Sequence, residues 1–163
     1  MKYVLQDLLI LRERRVDAAR ADVRLKEKKV REVRELIKKK QKELEDYIKW
    51  RIETEYNLYQ QIKNKLVSQK DLDDLRMTIS LLREKEYAYI KMIENAKKEE
   101  KERIKELGEA KKILKESIRS CEKIKEHKQI WLKEKLKELE RRQDLEMEEF
   151  KTKKLEIEEE NVY

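Results

Sequence analysis

The chain has 163 residues, of which 44 are Lys or Arg, 37 are Asp or Glu, one is Gly and none is Pro. Half of the residues are charged and 38% are hydrophobic, whereas a globular domain is about 25% charged. This composition excludes a thick-cored globular domain, a β-sheet protein and a Gly-rich phosphate-binding fold, and it favours long charged helices or a coiled coil.

The net charge of +7 is concentrated at the start of the chain. Residues 1–43 hold 15 basic and 8 acidic residues, whereas residues 44–163 hold 29 of each. The segment LEIEEE at 155–160 is acidic. We therefore expect a polarised rod whose charge distribution matters for its partners. No apolar run approaches the roughly 20 residues that span a bilayer, so no membrane insertion is expected.

The first predicted helix covers about residues 3–66. Apolar residues recur at a spacing of seven, which is typical of a coiled coil. After Leu44 the pattern shifts by four residues to Ile52, Tyr59 and Leu66, which predicts a stutter that locally unwinds the supercoil. Before the shift, one line of the pattern is Leu9, Val16, Val23, Val30, Ile37 and Leu44, and its companion is Leu5, Arg12, Ala19, Lys26, Val33 and Lys40.

A turn is predicted at about 67–70. Ser68 followed by Asp71 is a capping-box variant, and Asp73 and Asp74 place negative charge in a first helical turn. A new helix is therefore expected to start near Ser68. Because no Gly or Pro marks the turn, a single continuous helix is the alternative.

The second predicted helix covers about residues 70–158 and carries a stronger pattern. We expect an all-α fold, a long antiparallel two-helix coiled-coil hairpin with an overhanging C-terminal helix, and a single coiled-coil domain over 1–163. In this hairpin residue i faces roughly residue 137 − i, which places Arg51 opposite Glu86 as a charge pair that fixes the register. The pattern consists of Leu72, Ile79, Glu86, Ile93, Glu100, Leu107, Leu114 and Cys121, with Leu75, Leu82, Tyr89, Ala96, Arg103, Ala110, Ser117 and Ile124.

Chemistry-bearing residues are sparse. The one cysteine, Cys121, falls on the apolar pattern and is interpreted as a small buried hydrophobic residue. His127 is interpreted as a solvated helix residue, and one cysteine with one histidine does not make a usual zinc site. No nucleophile–base pair is evident, so we expect no enzyme activity, no catalytic residue, no metal and no cofactor.

Two surfaces are candidates for binding a partner. Aromatic residues cluster near the predicted turn, where Trp50, Tyr56 and Tyr87 fall off the buried pattern and are expected to be exposed, as interface anchors often are. The second candidate is the overhanging C-terminal part of the second helix, because its apolar residues have no partner in the first helix. These residues are Leu132, Leu136, Leu139, Met147 and Phe150.

Two motifs at opposite ends of the chain carry a family resemblance. The opening Y-x-L-x-x-L-L-x-L-R-x-x-R-V-x-x-A, from Tyr3 to Ala19, resembles the start of the YscO/FliJ family. The segment EHKQIWLKEKLKELERRQDLEME at 126–148 is similar to the C-terminal part of chlamydial-type YscO proteins. The length, the hairpin plan and the longer second helix agree with this resemblance.

The resemblance implies a central stalk of a type III secretion system in the bacterial cytoplasm, at the base of the apparatus. Family members insert the end with both termini into the hexameric export ATPase, link it to the export gate protein, and in some cases bind translocator chaperones. For gate or chaperone binding, Leu44 and Tyr47 match the family pattern, and Trp50, Tyr56 and Tyr87 are added from their expected exposure. For ATPase binding, the matched positions are Arg12, Arg15, Trp131 and Glu134, and exposure and charge add Arg141 and Arg142.

Two other functions stay open. A coiled-coil adaptor that binds secretion chaperones would bind a helical partner without changing ATPase turnover. A basic coiled coil that binds nucleic acid through residues 24–42 would lose affinity steeply with salt, but Glu27, Glu32 and Glu35 interrupt that stretch, so nucleic acid is the less favoured partner.

Overall fold

The computed structural model describes residues 2–160, with side chains for residues 2–154. Two helices, α1 (Gln6–Ile62, 57 residues) and α2 (Gln69–Glu160, 92 residues), make up this part of the chain, which contains no strand. The all-α fold class is confirmed. The contacts divide the chain into unit 1, Met1–Arg20 with Ile113–Tyr163, and unit 2, Ala21–Lys112. That all 163 residues form a single domain stays a prediction.

Helix α1 ends at Ile62, four residues before the predicted end near residue 66. Asn64 adopts a left-handed backbone with φ of 61°, the conformation that commonly terminates a helix and that Asn tolerates better than most residues. The Lys63 amide still donates to the Tyr59 carbonyl at 3.1 Å. The turn therefore starts earlier than the sequence pattern indicated, and the continuous-helix alternative is wrong.

Helix α2 begins with the predicted capping box. The Asp71 amide donates to the Ser68 Oγ at 3.2 Å, and the Ser68 amide donates to the Asp71 carboxylate at 2.8 Å. The Ser68 hydroxyl also donates to the Asp71 carboxylate, at 2.7 Å. This bond first, and the one from the Ser68 amide second, lower the pKa of Asp71. The reciprocal pair satisfies amides that have no partner inside the helix, which fixes where α2 starts.

The seven-residue pattern forms the seam, the stripe of side chains through which segments of the two helices pack. Every predicted seam residue of α2 is buried or half-buried, including the polar Glu86, Glu100 and Arg103. The same holds for the first part of α1, where the five most buried members of the predicted line all lie below 9% exposure. They are Leu9, Val16, Val23, Val30 and Ile37.

The predicted stutter after Leu44 is wrong. Ile52, Tyr59 and Leu66, which the shifted pattern placed in the seam, are all exposed. The original line continues instead through Arg51 and Leu58, which are half-buried. The hydropathy pattern misled because a charged residue occupies a seam position here, and its charge is neutralised by ion pairs described below.

In unit 1, the first part of α1, as far as Arg20, and the segment before it pack against the part of α2 that starts at Ile113. Leu9, Val16 and Cys121 form a buried cluster, with Leu114, Ile118 and Ile124 packed against it. Cys121 is a free, buried thiol, as the sequence pattern predicted.

In unit 2, the remainder of α1 and the first part of α2 form a helical hairpin around the turn. Its buried cluster includes Val33, Ile37 and Ala96. Contacts run antiparallel, since Glu27 meets Lys111 and Glu55 meets Arg83. Because the apolar seam is narrow here, these ion pairs between the helices also contribute to the alignment of α1 with α2.

Candidate functional site

An ion-pair network fixes the register of unit 2 near the turn. The predicted pair of Arg51 and Glu86 is confirmed, because the Arg51 Nε donates to the Glu86 carboxylate. Arg51 also donates to Glu55 at 2.8 Å, and Arg83 donates to Glu55 at 3.3 and 3.4 Å. The sequence analysis missed Glu55 and Arg83, although Glu55 follows Arg51 at the i+4 spacing typical of helical ion pairs.

Glu55 is the buried charged residue of this network, with 9% of its surface exposed. Burial by itself would raise the pKa of the Glu55 carboxyl, but hydrogen bonds from Arg83 and Arg51 outweigh burial and lower that pKa. Hydrogen bonds to Glu55 and Glu86 likewise raise the pKa of Arg51. Arg51 and Glu55 therefore stay ionised at neutral pH, and the hydrogen bonds of the network join the two helices.

Next to this network lies an aromatic cluster of Tyr47, Trp50 and Tyr89. The Tyr47 ring lies 5.6 Å from the Trp50 ring and 5.2 Å from the Tyr89 ring, and its hydroxyl donates to the Leu82 carbonyl at 2.8 Å. Tyr47 is only 9% exposed, whereas Trp50 is 50% exposed. Tyr47, which was predicted to contact a partner, is itself buried and packs against the inner side of the exposed Trp50. Burial raises the pKa of Tyr47, so its hydroxyl stays a donor.

The other predicted residues of this region do not join the cluster. Tyr56 and Tyr87 are exposed as predicted, but each lies on the side of its helix away from the seam. Leu44 is half-buried in the seam. The structure therefore brings Tyr47 and Trp50 together and leaves Tyr56 and Tyr87 on other faces.

A shallow groove that the sequence analysis missed adjoins the aromatic cluster. Lys85 extends from the groove to a position 5.5 Å above the Tyr47 ring, and the exposed Met92 adds an adaptable apolar side chain. Because these residues come from both helices, only the register could have revealed them. We call this the aromatic groove, lined by Lys40, Glu43, Lys85, Ala88, Tyr89 and Met92.

In unit 1, the two motifs that carried the family resemblance meet. The Tyr3 hydroxyl lies 2.7 Å from the His127 Nδ1, and the Tyr3 ring meets the Trp131 ring edge-on at 5.4 Å. Lys128 donates to the Gln6 side chain at 2.9 Å. Tyr3 is buried, so this cluster anchors the start of the chain on α2, and His127 has a partner that its interpretation as a solvated residue did not foresee.

The predicted ATPase-binding residues of unit 1 differ in accessibility. Arg15 and Glu134 are exposed, whereas Arg12 and Trp131 are half-buried. The Arg12 Nε is buried without a hydrogen-bond partner among the described residues. Because Trp131 packs on Tyr3, only part of its ring is exposed for contact with a partner.

The C-terminal segment, residues 136–154 of α2, is exposed at every position. Arg141 and Arg142 lie in it, and Arg142 donates to Glu138 at 3.4 Å. At about 100° per residue, five apolar residues between positions 132 and 150 lie on a single side of the helix and form a stripe, whereas Leu145 lies on the opposite side. The stripe consists of Leu132, Leu136, Leu139, Met147 and Phe150, all exposed.

Residues 2–154 contain no group of three His, Cys, Asp or Glu side chains positioned to hold a metal ion. No stretch within the described helices combines the length and the apolar character that crossing a membrane requires.

The heptad seam and the paired helices define the class of protein, an antiparallel two-stranded coiled coil in each unit. A family model described as "Type III secretion protein YscO" matches residues 5–153. The chain belongs to the YscO family of type III secretion proteins.

Two solved structures are similar to this chain. A crystal structure of the type III secretion protein YscO from Vibrio parahaemolyticus matches with a TM-score of 0.81 and 27% identity, over 90% of this chain and 92% of the other. A putative YscO homologue from Chlamydia trachomatis matches with a TM-score of 0.75 and 23% identity, over 92% of each chain, which supports the fold. None of the curated proteins matches the chain.

Proposed function

We propose that this protein is the central stalk of a type III secretion system, which binds and stimulates the hexameric export ATPase and couples it to the export gate. It acts in the bacterial cytoplasm at the base of the apparatus, without chemistry of its own. Family membership supports the secretion role. The observation that carries the ATPase contact is the exposed C-terminal segment of unit 1.

The C-terminal segment has the features of a partner-binding helix. Every described side chain from Leu136 onward is exposed, and Phe150 is 75% exposed. The stripe consists of two apolar patches, Leu132 to Leu139 and Met147 with Phe150, separated by Gln143. Exposed apolar patches on a solvated helix are typical of surfaces that a partner covers. Arg142 lies beside the stripe, whereas Arg141 lies on the side of the helix that carries Leu145. Their positive charge favours a partner with carboxylates.

The mechanism that follows is differential binding. A single asymmetric helix inside a six-fold ring contacts non-equivalent subunits, so it stabilises some subunit conformations more than others. It thereby promotes hexamer assembly and shifts nucleotide turnover. Trp131, which packs on Tyr3, and the exposed Arg15 are the further ATPase contacts that we propose in unit 1.

The test compares two leucines with equal exposure on opposite sides of one helix. Leu136 and Leu145 are each 59% exposed, and nine residues at about 100° each place them about 180° apart. Leu136→Ser removes an apolar contact of about 2 kcal/mol, so the concentration for half-maximal ATPase stimulation should rise about 30-fold. Leu145→Ser makes the same change in helix propensity and should leave stimulation unchanged.

Equal effects of the two leucine variants, or none from either, would contradict the stalk proposal. Unchanged turnover with stable one-to-one binding to a chaperone would favour the adaptor alternative.

The gate contact is proposed at the aromatic cluster of Tyr47, Trp50 and Tyr89 in unit 2, beside the aromatic groove. Trp50 is the exposed aromatic residue of this cluster, and its ring lies 5.6 Å from the ring of the buried Tyr47. Trp50→Ala should weaken binding to the cytosolic part of the gate protein by at least about tenfold. Tyr56→Ala, on a different face, is the matched control and should have a smaller effect.

A further inference from the structure

On the face of α1 in unit 2 that points away from α2, cationic side chains form a row along the helix axis. Five exposed cations follow one another at spacings of three or four residues, except that Glu35 occupies the position between Arg31 and Lys38. We call these five cations the outer basic row. Val30 and Ile37 are buried in the seam on the other side of the helix. The row consists of Arg24, Lys28, Arg31, Lys38 and Lys42.

Acidic neighbours do little to cancel the outer basic row. Glu27 turns toward α2, where Lys111 lies 3.6 Å from its carboxylate. Glu32 is 3.8 Å from Lys28, and both side chains are at least 60% exposed, so this pair is weak. The acids that interrupt the sequence therefore leave most of the row available to an external anion.

The positive charge belongs to the α1 side of unit 2 and not to the whole hairpin. Residues 24–42 hold ten cations and three acids, a net charge of +7. The segment of α2 that packs along them, residues 94–112, has the same length but holds seven cations and six acids, a net charge of +1. A polyanion that approaches unit 2 is thus drawn to one edge.

The surroundings of the row favour a lipid surface over a nucleic acid. Residues 24–42 contain no aromatic residue, whereas single-stranded nucleic acids bind largely by stacking bases on aromatic rings. Leu25 and Leu36 flank the row and are 51% and 42% exposed. Cations beside exposed aliphatic side chains are typical of helices that lie in the headgroup region of an anionic membrane.

We propose that the outer basic row binds the phosphodiester headgroups of an anionic phospholipid membrane, with α1 lying along the surface. The row spans about 27 Å at 1.5 Å per residue, so its cations meet several headgroups at once. Each cation near such a surface strengthens binding about fivefold, and the attraction falls off within a Debye length. This surface contact involves no insertion of the chain.

The experiment measures cosedimentation of the full chain with vesicles of equal parts phosphatidylcholine and phosphatidylglycerol, and with pure phosphatidylcholine vesicles. The row variant combines Lys28→Gln, Arg31→Gln and Lys38→Gln. The control variant combines Lys98→Gln, Lys101→Gln and Lys105→Gln, exposed lysines on α2, and has the same net charge. Circular dichroism checks that both stay helical.

The row variant should bind the anionic vesicles about 100-fold more weakly, from three cations at about fivefold each. The control should lose no more than about fivefold, and neutral vesicles should not bind. Equal losses in the two variants would overturn the proposal, because binding would then follow net charge alone. Displacement of the protein from vesicles by a single-stranded oligonucleotide at lower phosphate concentration would overturn it in favour of nucleic acid.

Discussion

Replacing Arg51 tests how much the ion-pair network contributes to unit 2. Arg51 makes two charge-assisted hydrogen bonds, one to Glu86 and one to Glu55 at 2.8 Å. The three side chains keep 14%, 21% and 11% exposure, so these bonds should together contribute about 3 kcal/mol, the low end for charged partners. A buried Leu regains about 1 kcal/mol, and Arg51→Leu should therefore lower the free energy of unfolding by about 2 kcal/mol.

The double variant separates the ion pair from the rest of the network. With Arg51→Leu and Glu86→Leu together, no unpaired charge remains at this seam layer, because Glu55 keeps its bonds from Arg83. Stability should return to within about 1 kcal/mol of the original, so the double variant should lose less than the sum of the losses from Arg51→Leu and Glu86→Leu alone. Urea unfolding followed by circular dichroism measures each variant.

The control is an exposed ion pair between the same helices. Lys111 and Glu27 lie 3.6 Å apart with 56% and 40% exposure, so Lys111→Met should cost at most about 0.5 kcal/mol. A loss of stability from Arg51→Leu no larger than that from Lys111→Met would contradict the role of the ion-pair network. So would a loss in the double variant equal to the sum of the losses from Arg51→Leu and Glu86→Leu.

Three further predictions concern other parts of the chain. Gly108→Ala should raise stability by about 1 kcal/mol in urea unfolding, because an added Cβ meets no atom within 4 Å; a loss would contradict the open site. Ser68→Ala should lower the melting temperature at neutral pH, and the difference should shrink as acid protonates Asp71, whose pKa is lowered in the fold. Tyr3→Phe should weaken the contact with His127 by about 1 kcal/mol, seen as faster amide exchange at the start of α1.

Acid should also weaken unit 2 through Glu55. Its pKa in the fold is lowered, so its contribution to stability is present above the ordinary pKa of a glutamate and is lost as the pH falls through the lowered value. Glu55→Gln should remove this part of the acid sensitivity. A pH series of melting temperatures, with the exposed Glu53→Gln as the control, measures it.

The sequence predicted the seam well because burial in a coiled coil follows a strict period. The line through Val16 as far as Leu44 and the line through Ile93 as far as Cys121 are buried or half-buried at every position. The capping box at Ser68 is a local motif with local partners. The pair of Arg51 and Glu86 followed from the assumption that residue i faces roughly residue 137 − i in the hairpin. Each of these predictions depends on spacing alone.

The predictions that failed depended on energies that a hydropathy pattern does not contain. Arg51 is charged, so the pattern moved to Ile52 and Tyr59, although ion pairs make the seam position favourable for Arg51. The end of α1 depended on Asn64 adopting a left-handed backbone. The aromatic groove combines residues from both helices, and its shape follows only once their register is fixed in three dimensions.

The stalk proposal requires that this chain stimulates an export ATPase through the C-terminal segment of unit 1. The turnover and oligomeric state of the cognate ATPase, titrated with the full chain and with a truncation after Lys135, test this requirement. We expect more hexamer and faster turnover with the full chain, and neither with the truncation. Unchanged turnover at saturating full chain, or full stimulation by the truncated chain, would contradict the proposal.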